Sequence, residues 1–147
     1  WLSKGNYHLT LAFLSNLEYA LISRLQLNLE QNLSSSKAVP FKFSEITPFP
    51  FSGSPKIVAA MLEHSKELMH LQANITQCVR TFGISLERRR FTPHVTLGRL
   101  KSLSRKSLEF QPQQISLDGV SEKVVIFQSE LTQKGSFYTS IGGFSLV

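Results

Sequence analysis

Two short motifs in the sequence combine residue types that carry out acid–base chemistry. In each motif a threonine follows a histidine at the second position: His8-Leu9-Thr10 and His94-Val95-Thr96. The chain has four histidines, and background frequency gives a threonine at that offset for roughly one histidine in twenty. Both motifs lie in segments where residues alternate with the period of a β-strand. Each imidazole is therefore expected to project from the same strand face as the hydroxyl of its motif.

Two imidazoles and two hydroxyls brought together suit the displacement of an oxygen at phosphorus. One neutral histidine accepts a proton from the attacking water and one protonated histidine donates a proton to the leaving oxygen, each role contributing roughly 10²–10⁴-fold. Threonine hydroxyls can donate hydrogen bonds to the non-bridging phosphate oxygens as charge builds there. The pattern predicts His8 and His94 as catalytic residues and Thr10 and Thr96 as substrate-binding residues, with no metal required in principle.

Other interpretations of the histidines stay open on the residues alone. A single His-x-Thr motif also fits a histidine at the edge of the core, with threonine chosen for its preference for strands. A zinc site with His8, His94 and a third ligand is a further alternative, although no His-x-His, HExxH or carboxylate cluster supports it. His64 and His70 lie six positions apart in a helical segment and are predicted to be surface residues.

Basic residues flank the second motif. Arg88, Arg89 and Arg90 precede it, and Arg99 and Lys101 follow it. These side chains could hold phosphate groups or form a solvated charged run, and Arg90 and Arg99 are the better candidates because they bracket the motif most closely. The formal net charge of +6 agrees with a polyanionic partner such as RNA. A modest excess of this size also serves solubility alone.

The periodicity along the chain predicts an α+β fold. The expected elements are strands over residues 7–14, 41–46, 56–62, 91–100 and 115–117, a helix that starts after Ser15 or Asn16, a helix over residues 68–82 that stops at Gly83, and a hairpin of residues 123–131 and 137–146. Short turns between neighbouring strands favour antiparallel pairing. The repeated motif predicts two similar lobes in a pseudo-twofold arrangement, with antiparallel sheets, flanking helices and a central cleft that carries both motifs.

Strand alternation also predicts which side chains share a face. In the first motif strand, Leu9, Leu11 and Phe13 are expected to face the core. In the second, Gly98 is expected to share the face of His94 and Thr96.

Composition indicates a single domain over residues 1–147. Hydrophobic residues make up 41% of the chain, which is enough for a compact core. No apolar run approaches the length of a membrane-spanning helix, and the opening residues do not form a signal peptide. The single cysteine, Cys78, can form neither an internal disulfide nor a cysteine-based metal site. These features favour a cytoplasmic protein without membrane association.

In their wider context the two motifs resemble the paired signatures of the 2H phosphoesterase superfamily. They read Tyr7-His8-Leu9-Thr10-Leu11-Ala12-Phe13-Leu14 and Phe91-Thr92-Pro93-His94-Val95-Thr96-Leu97-Gly98-Arg99. Within it, they are most similar to the RNA 2′,3′-cyclic phosphodiesterases, also called 2′-5′ RNA ligases, whose closing hairpin resembles the tail around Gly135. The resemblance implies a two-lobed α+β sandwich, an RNA or nucleotide substrate with a 2′,3′-cyclic phosphate, a 2′-phosphate product and no cofactor. In some members it also implies joining of RNA ends through a 2′-5′ bond.

The resemblance also implies roles for the two histidines. Carried over by motif, His8 would donate the proton to the leaving oxygen and His94 would activate water, although the near-equivalent motifs leave this assignment open on the residues alone. A catalytically weak protein that binds RNA ends in the same cleft is the alternative function. An interaction domain with coincidental motifs is a third.

The start of the chain departs from the family pattern. Members of the family carry a strand and a helix ahead of the first motif, and Trp1 lies too close to that motif to leave room for them. A lobe without that strand would expose unpaired backbone groups along a sheet edge. Self-association through the edge nearest the first motif strand is therefore expected.

Overall fold

The structure is a computed structural model that describes residues 1–100 and 110–147. The chain divides into two compact units, each assembled from three segments that are separate in sequence. Unit 1 comprises Trp1–Thr10, Phe41–His64 and Phe91–Gly119, and unit 2 comprises Leu11–Pro40, Ser65–Arg90 and Val120–Val147. The chain has two units, as the sequence predicts, but residues 8–10 and 94–96, which carry the two motifs, both belong to unit 1 rather than to one unit each.

A four-stranded sheet provides the framework of unit 1. Its strands are β1 (Val39–Phe49), β2 (Ile57–Leu62), β3 (His94–Arg99) and β4 (Gln113–Ser121), in the order β3-β2-β1-β4. β2 is a continuous apolar run and is buried from Val58 to Leu62, as suits a central strand covered on both faces. It pairs antiparallel with both β1 and β3, and therefore fixes the position of β3.

Two helices and a hairpin form unit 2. The helices are α1 (Tyr19–Leu33) and α2 (Lys66–Thr81), and the hairpin consists of β5 (Lys123–Thr132) and β6 (Gly135–Ser145). α1 contacts both α2 and β6. Its buried residues are Leu25, Leu29 and Leu33, and those of α2 are Leu68, Leu71, Ile75 and Val79. These residues recur every three or four positions, so each helix buries one apolar stripe.

The α+β class and most of the predicted elements are confirmed. β1 and β4 are longer than predicted. In β1 the sequence prediction stopped short because Pro40 and Pro48 lack a backbone N–H and normally weaken a strand. The end of α2 at Gly83 is confirmed, since this glycine adopts a positive φ of 74° that is typical of helix termination. Among the described helices, none is both long and apolar enough to cross a membrane.

Three predictions for the first segments were wrong. Residues 7–14 do not form a regular strand, because a single bridge between Leu9 and Val95 joins this segment to β3. The carbonyl of Leu11 instead accepts a hydrogen bond from Gln72 Nε2 on α2 at 3.2 Å, and Phe13 is 68% exposed rather than directed at the core. α1 starts at Tyr19 after Glu18, not after Ser15 or Asn16. The expected self-association stays a prediction.

The start of α2 depends on one side-chain hydrogen bond. Ser65 Oγ accepts a hydrogen bond from the backbone N–H of Leu68 at 3.1 Å, which satisfies one of the donors left unpaired in the first turn of a helix.

We expect Ser65→Ala to lower the free energy of unfolding by about 1 kcal/mol, the usual cost of losing such a cap. Urea titration monitored by circular dichroism measures the change. Ser85→Ala is the matched control, because Ser85 is exposed in the loop after α2. Equal stability of the two variants would contradict the capping role of Ser65.

Candidate active site

One antiparallel bridge brings the two His-x-Thr motifs side by side. Leu9 pairs with Val95 of β3. Continued by one residue on either side, this register places His8 beside Thr96 and Thr10 beside His94. Because side chains directly opposite each other in an antiparallel pair project from the same face, we infer from this register that all four predicted site residues share one face of unit 1. The two histidines occupy one diagonal of this group and the two threonines the other.

The two histidines have matching local geometry. His8 Nδ1 lies 2.8 Å from the carbonyl oxygen of Asn6, and His94 Nδ1 lies 2.7 Å from that of Thr92. A carbonyl oxygen can only accept a hydrogen bond, so Nδ1 carries the hydrogen in both rings. In the neutral form, Nε2 therefore holds the lone pair that can take up a proton. An antiparallel pair has a local twofold symmetry, and about the Leu9–Val95 bridge this symmetry relates the two motifs.

The segments around the motifs set these hydrogen bonds. A short 3₁₀ helix, Lys4–Asn6, ends two residues before His8 and presents the Asn6 carbonyl to the ring. In the second motif, Pro93 follows Thr92 and is fully buried. The residue before a proline is restricted to extended conformations, so the Thr92 carbonyl is held in place by covalent geometry and packing together.

A β-bulge in β3 changes which residues share the face of His94. Thr96 pairs with Ala59, but after Leu97 the register shifts by one residue, so that Arg99 pairs with Ile57. Ile57 and Ala59 project from the same face of β2. Arg99 therefore joins the face of His94 and Thr96, and the expected placement of Gly98 there was wrong. An extra residue in one strand reverses the alternation beyond it, and the sequence pattern alone does not reveal it.

A phenylalanine that the sequence analysis did not single out contacts His94. The centroids of the Phe49 and His94 rings are 4.5 Å apart, and the ring planes are inclined by 35°. β2 lies between their strands, and its register with both places Ala59 midway between the two residues on the same face. The small Ala59 side chain leaves room for the rings to meet. No spacing rule connects Phe49 with the second motif, so only the sheet order identifies it.

The other candidate residues lie elsewhere or serve other contacts. Arg88, Arg89 and Arg90 are exposed at the end of a segment of unit 2, and Arg89 pairs with Glu87 at 3.1 Å. The prediction that His64 and His70 are surface residues is confirmed, since both are exposed. Lys101 lies outside the described residues. Within residues 1–100 and 110–147, no group of three or more His, Cys, Asp or Glu side chains could hold a metal ion.

Comparison with known proteins identifies the family. Residues 3–118 match the profile of the 2′-5′ RNA ligase superfamily. The chain is 28% identical to the RNA 2′,3′-cyclic phosphodiesterase of Thermotoga maritima, over 94% of this chain and 74% of that protein. It is 30% identical to the protein of the same name from Archaeoglobus fulgidus, over 95% of this chain and 79% of that protein.

The fold also matches a solved structure. The protein TT0787 of Thermus thermophilus superposes with a TM-score of 0.83 and 24% sequence identity, covering 95% of this chain and 78% of that one. The profile match spans well over half of the chain. The chain therefore belongs to the 2′-5′ RNA ligase superfamily.

The carbonyl contacts predict the tautomer of both site histidines. In the neutral protein, His8 and His94 should carry their hydrogen on Nδ1, because each Nδ1 faces a backbone carbonyl oxygen. Two-dimensional NMR that correlates ring nitrogens with ring protons distinguishes the tautomers. The exposed His64 and His70 provide internal controls. An Nε2–H signal from His8 or His94 would contradict the assigned hydrogen bonds.

Proposed function

We propose that this protein hydrolyses 2′,3′-cyclic phosphates at the ends of RNA to 2′-phosphates. The observation that carries the proposal is the antiparallel Leu9–Val95 bridge, from whose register we infer that two imidazoles and two hydroxyls share one face. The names of the Thermotoga and Archaeoglobus relatives, RNA 2′,3′-cyclic phosphodiesterase, support the same reaction. The net charge of +6 suits a polyanionic substrate.

The diagonal arrangement of the histidines suits an in-line displacement. Diagonal neighbours across an antiparallel pair lie about 7–8 Å apart, so two imidazoles on one face can approach a single phosphate from opposite sides. His94 takes a proton from water as the water oxygen forms its bond to phosphorus. His8 donates a proton to O3′ as the bond between phosphorus and O3′ breaks. The product carries a 2′-phosphate and a free 3′-hydroxyl.

The matched hydrogen bonds at Nδ1 support this assignment of proton transfers. With Nδ1–H donated to a carbonyl in each ring, Nε2 is the nitrogen that gains or loses a proton. Both rings are thereby oriented before substrate arrives, which lowers the cost of reaching a reactive geometry. The direction of the roles, with His8 as acid and His94 as base, follows the family resemblance, and the local twofold makes the two positions nearly equivalent.

The threonines and Arg99 supply charge stabilisation in this proposal. Thr10 and Thr96 share the face of the histidines, where their hydroxyls can donate to the non-bridging oxygens as negative charge increases. Arg99 reaches the same face through the bulge and adds a guanidinium, which matches two phosphate oxygens geometrically. With a 5′-hydroxyl in place of water, the same attack on the cyclic phosphate would form a bond from O5′ to phosphorus, release O3′ as a hydroxyl and give a 2′-5′ bond.

Because the two imidazoles supply both proton transfers, hydrolysis should continue when metal ions are removed. We expect turnover of adenosine 2′,3′-cyclic phosphate at the same rate with and without excess EDTA, and adenosine 2′-phosphate as the product. Chromatography against the 2′ and 3′ isomers identifies the product. Activity that disappears with EDTA and returns with zinc or manganese would contradict the mechanism.

Replacement of each site residue separates proton transfer from charge stabilisation. His8→Ala and His94→Ala should each lower kcat by roughly 10²–10⁴-fold, the usual contribution of a general acid or base. Thr10→Ala and Thr96→Ala should each cost about 1–3 kcal/mol of transition-state stabilisation, through loss of a hydrogen bond to a charged group.

Single-turnover kinetics measures both effects, and circular dichroism checks that each variant folds. His64→Ala and Thr139→Ala are the matched controls, because both residues are exposed and lie outside the two motifs. Near-normal rates in both histidine variants would rule out general acid–base catalysis by these residues. Binding of the substrate by the wild-type protein without any turnover would instead fit the alternative function of binding RNA ends.

A further inference from the structure

The segment that follows the Leu9–Val95 bridge is held by a glutamine of α2. Leu9 forms an isolated bridge with β3. Two residues further on, the carbonyl oxygen of Leu11 accepts a hydrogen bond from Gln72 Nε2 at 3.2 Å. Leu11 and Gln72 both belong to unit 2. Thr10 therefore lies between two fixed points, with the bridge on one side and the glutamine contact on the other.

A second hydrogen bond fixes the orientation of the Gln72 amide. Its Nε2 also lies 3.1 Å from Thr76 Oγ1, one helical turn further along α2. A primary amide nitrogen has two hydrogens, so Nε2 can donate to Leu11 and to Thr76 at the same time. Both hydrogen bonds are partly buried, which limits competition from water.

The helix gives the glutamine a firm support. Gln72 follows Leu68 by one turn and precedes Ile75 by three positions, so it borders the buried apolar stripe of α2. Ser65 caps the start of the same helix. The Gln72 side chain consequently extends from a backbone that packing and capping hold in place.

We propose that Gln72 is a positioning residue for Thr10 in the hydrolysis of the cyclic phosphate. This inference rests on the proposed function, in which Thr10 donates a hydrogen bond to a non-bridging phosphate oxygen. Consecutive Cα atoms are about 3.8 Å apart, so a restraint on Leu11 also restrains Thr10. The strength of a hydrogen bond falls steeply when its geometry is poor. In this role Gln72 acts through the backbone of Leu11 and not by contact with the substrate.

The amide hydrogens are the part of Gln72 that this role requires. Gln72→Glu keeps the shape of the side chain but cannot donate as a carboxylate, and Gln72→Met keeps its length without any donor. We expect each variant to lower kcat for adenosine 2′,3′-cyclic phosphate roughly tenfold and to change KM by less than about twofold, because the Thr10 hydrogen bond strengthens in the transition state. Thr10→Ala sets the upper limit of the effect, since a residue that acts through Thr10 can lose no more than the Thr10 hydroxyl contributes.

Kinetics of double variants distinguishes positioning of Thr10 from general support of the fold. In the Thr10→Ala background, Gln72→Met should have almost no further effect on kcat, because the hydroxyl that Gln72 positions is already absent. In the Thr96→Ala background it should keep its roughly tenfold effect, because Thr96 is held by β3. An equal loss in both backgrounds would refute the positioning role, as would an unchanged kcat in both single Gln72 variants.

Gln77→Glu and Gln77→Met are the matched controls, because Gln77 is an exposed glutamine on the same helix. Both should leave kcat unchanged, and circular dichroism checks that every variant folds. A second measurement does not depend on activity. In two-dimensional NMR spectra of backbone amides, Gln72→Met should shift the signal of Thr10 and leave that of Thr96 in place. An unmoved Thr10 signal would refute the positioning role.

Turnover of adenosine 2′,3′-cyclic phosphate by the wild type tests the proposed function separately. A wild type that forms no 2′-phosphate would refute the hydrolysis, and the NMR comparison would still decide whether Gln72 holds Thr10. A wild type that hydrolyses the substrate, together with equal losses in the two threonine backgrounds, would support the hydrolysis and refute the positioning role.

Discussion

The single pairing of Leu9 with Val95 is the interaction on which the site depends. Each motif has one imidazole and one hydroxyl, and the proposed mechanism uses two imidazoles. The bridge joins the two motifs through a single pair of residues, Leu9 and Val95. β2 fixes β3 from the opposite side, and Val58 to Leu62 are buried beneath the site. A shift of one residue at the bridge would put the histidine and threonine of one motif on the other face.

The sheet does more than support the histidines. Its register places a small residue, Ala59, where two rings from flanking strands meet, and a bulge after Thr96 brings Arg99 to the face of His94 and Thr96. These are properties of strand order and register rather than of any single strand. The site is therefore a patch of a sheet surface to which three different strands contribute, and its composition follows from which residues are neighbours across strands.

The sequence singles out the residues of the candidate site but predicts less of their geometry. His8, Thr10, His94 and Thr96 could be identified because the motif occurs twice with the period of a strand. The strand face of Arg99 could not be predicted, because regular alternation places Gly98, not Arg99, on the face of His94. The bulge that reverses this alternation leaves no mark in the sequence pattern. Phe49 was missed because its relation to His94 depends on a third strand that lies between them. The first segment was predicted as a strand because its residues alternate, whereas the Leu11 carbonyl bonds to a helix side chain instead of a ladder partner. Sequence patterns over a few residues reflect local preferences, whereas each of these errors concerns a contact between residues that are distant in sequence.

The interleaved segments of unit 1 have a consequence for how the protein is made. The bridge can form only after residue 95 has been synthesised. The ribosome makes α1, β1, β2 and α2 between residues 9 and 95. Closing a contact over such a separation carries a large entropic cost, and chains with many such contacts fold slowly. A nascent chain that has emerged only as far as α2 contains His8 but not His94. It also lacks β3, the strand with which the segment around Leu9 pairs. The two motifs therefore come together only late in synthesis, when β3 pairs with the segment around Leu9.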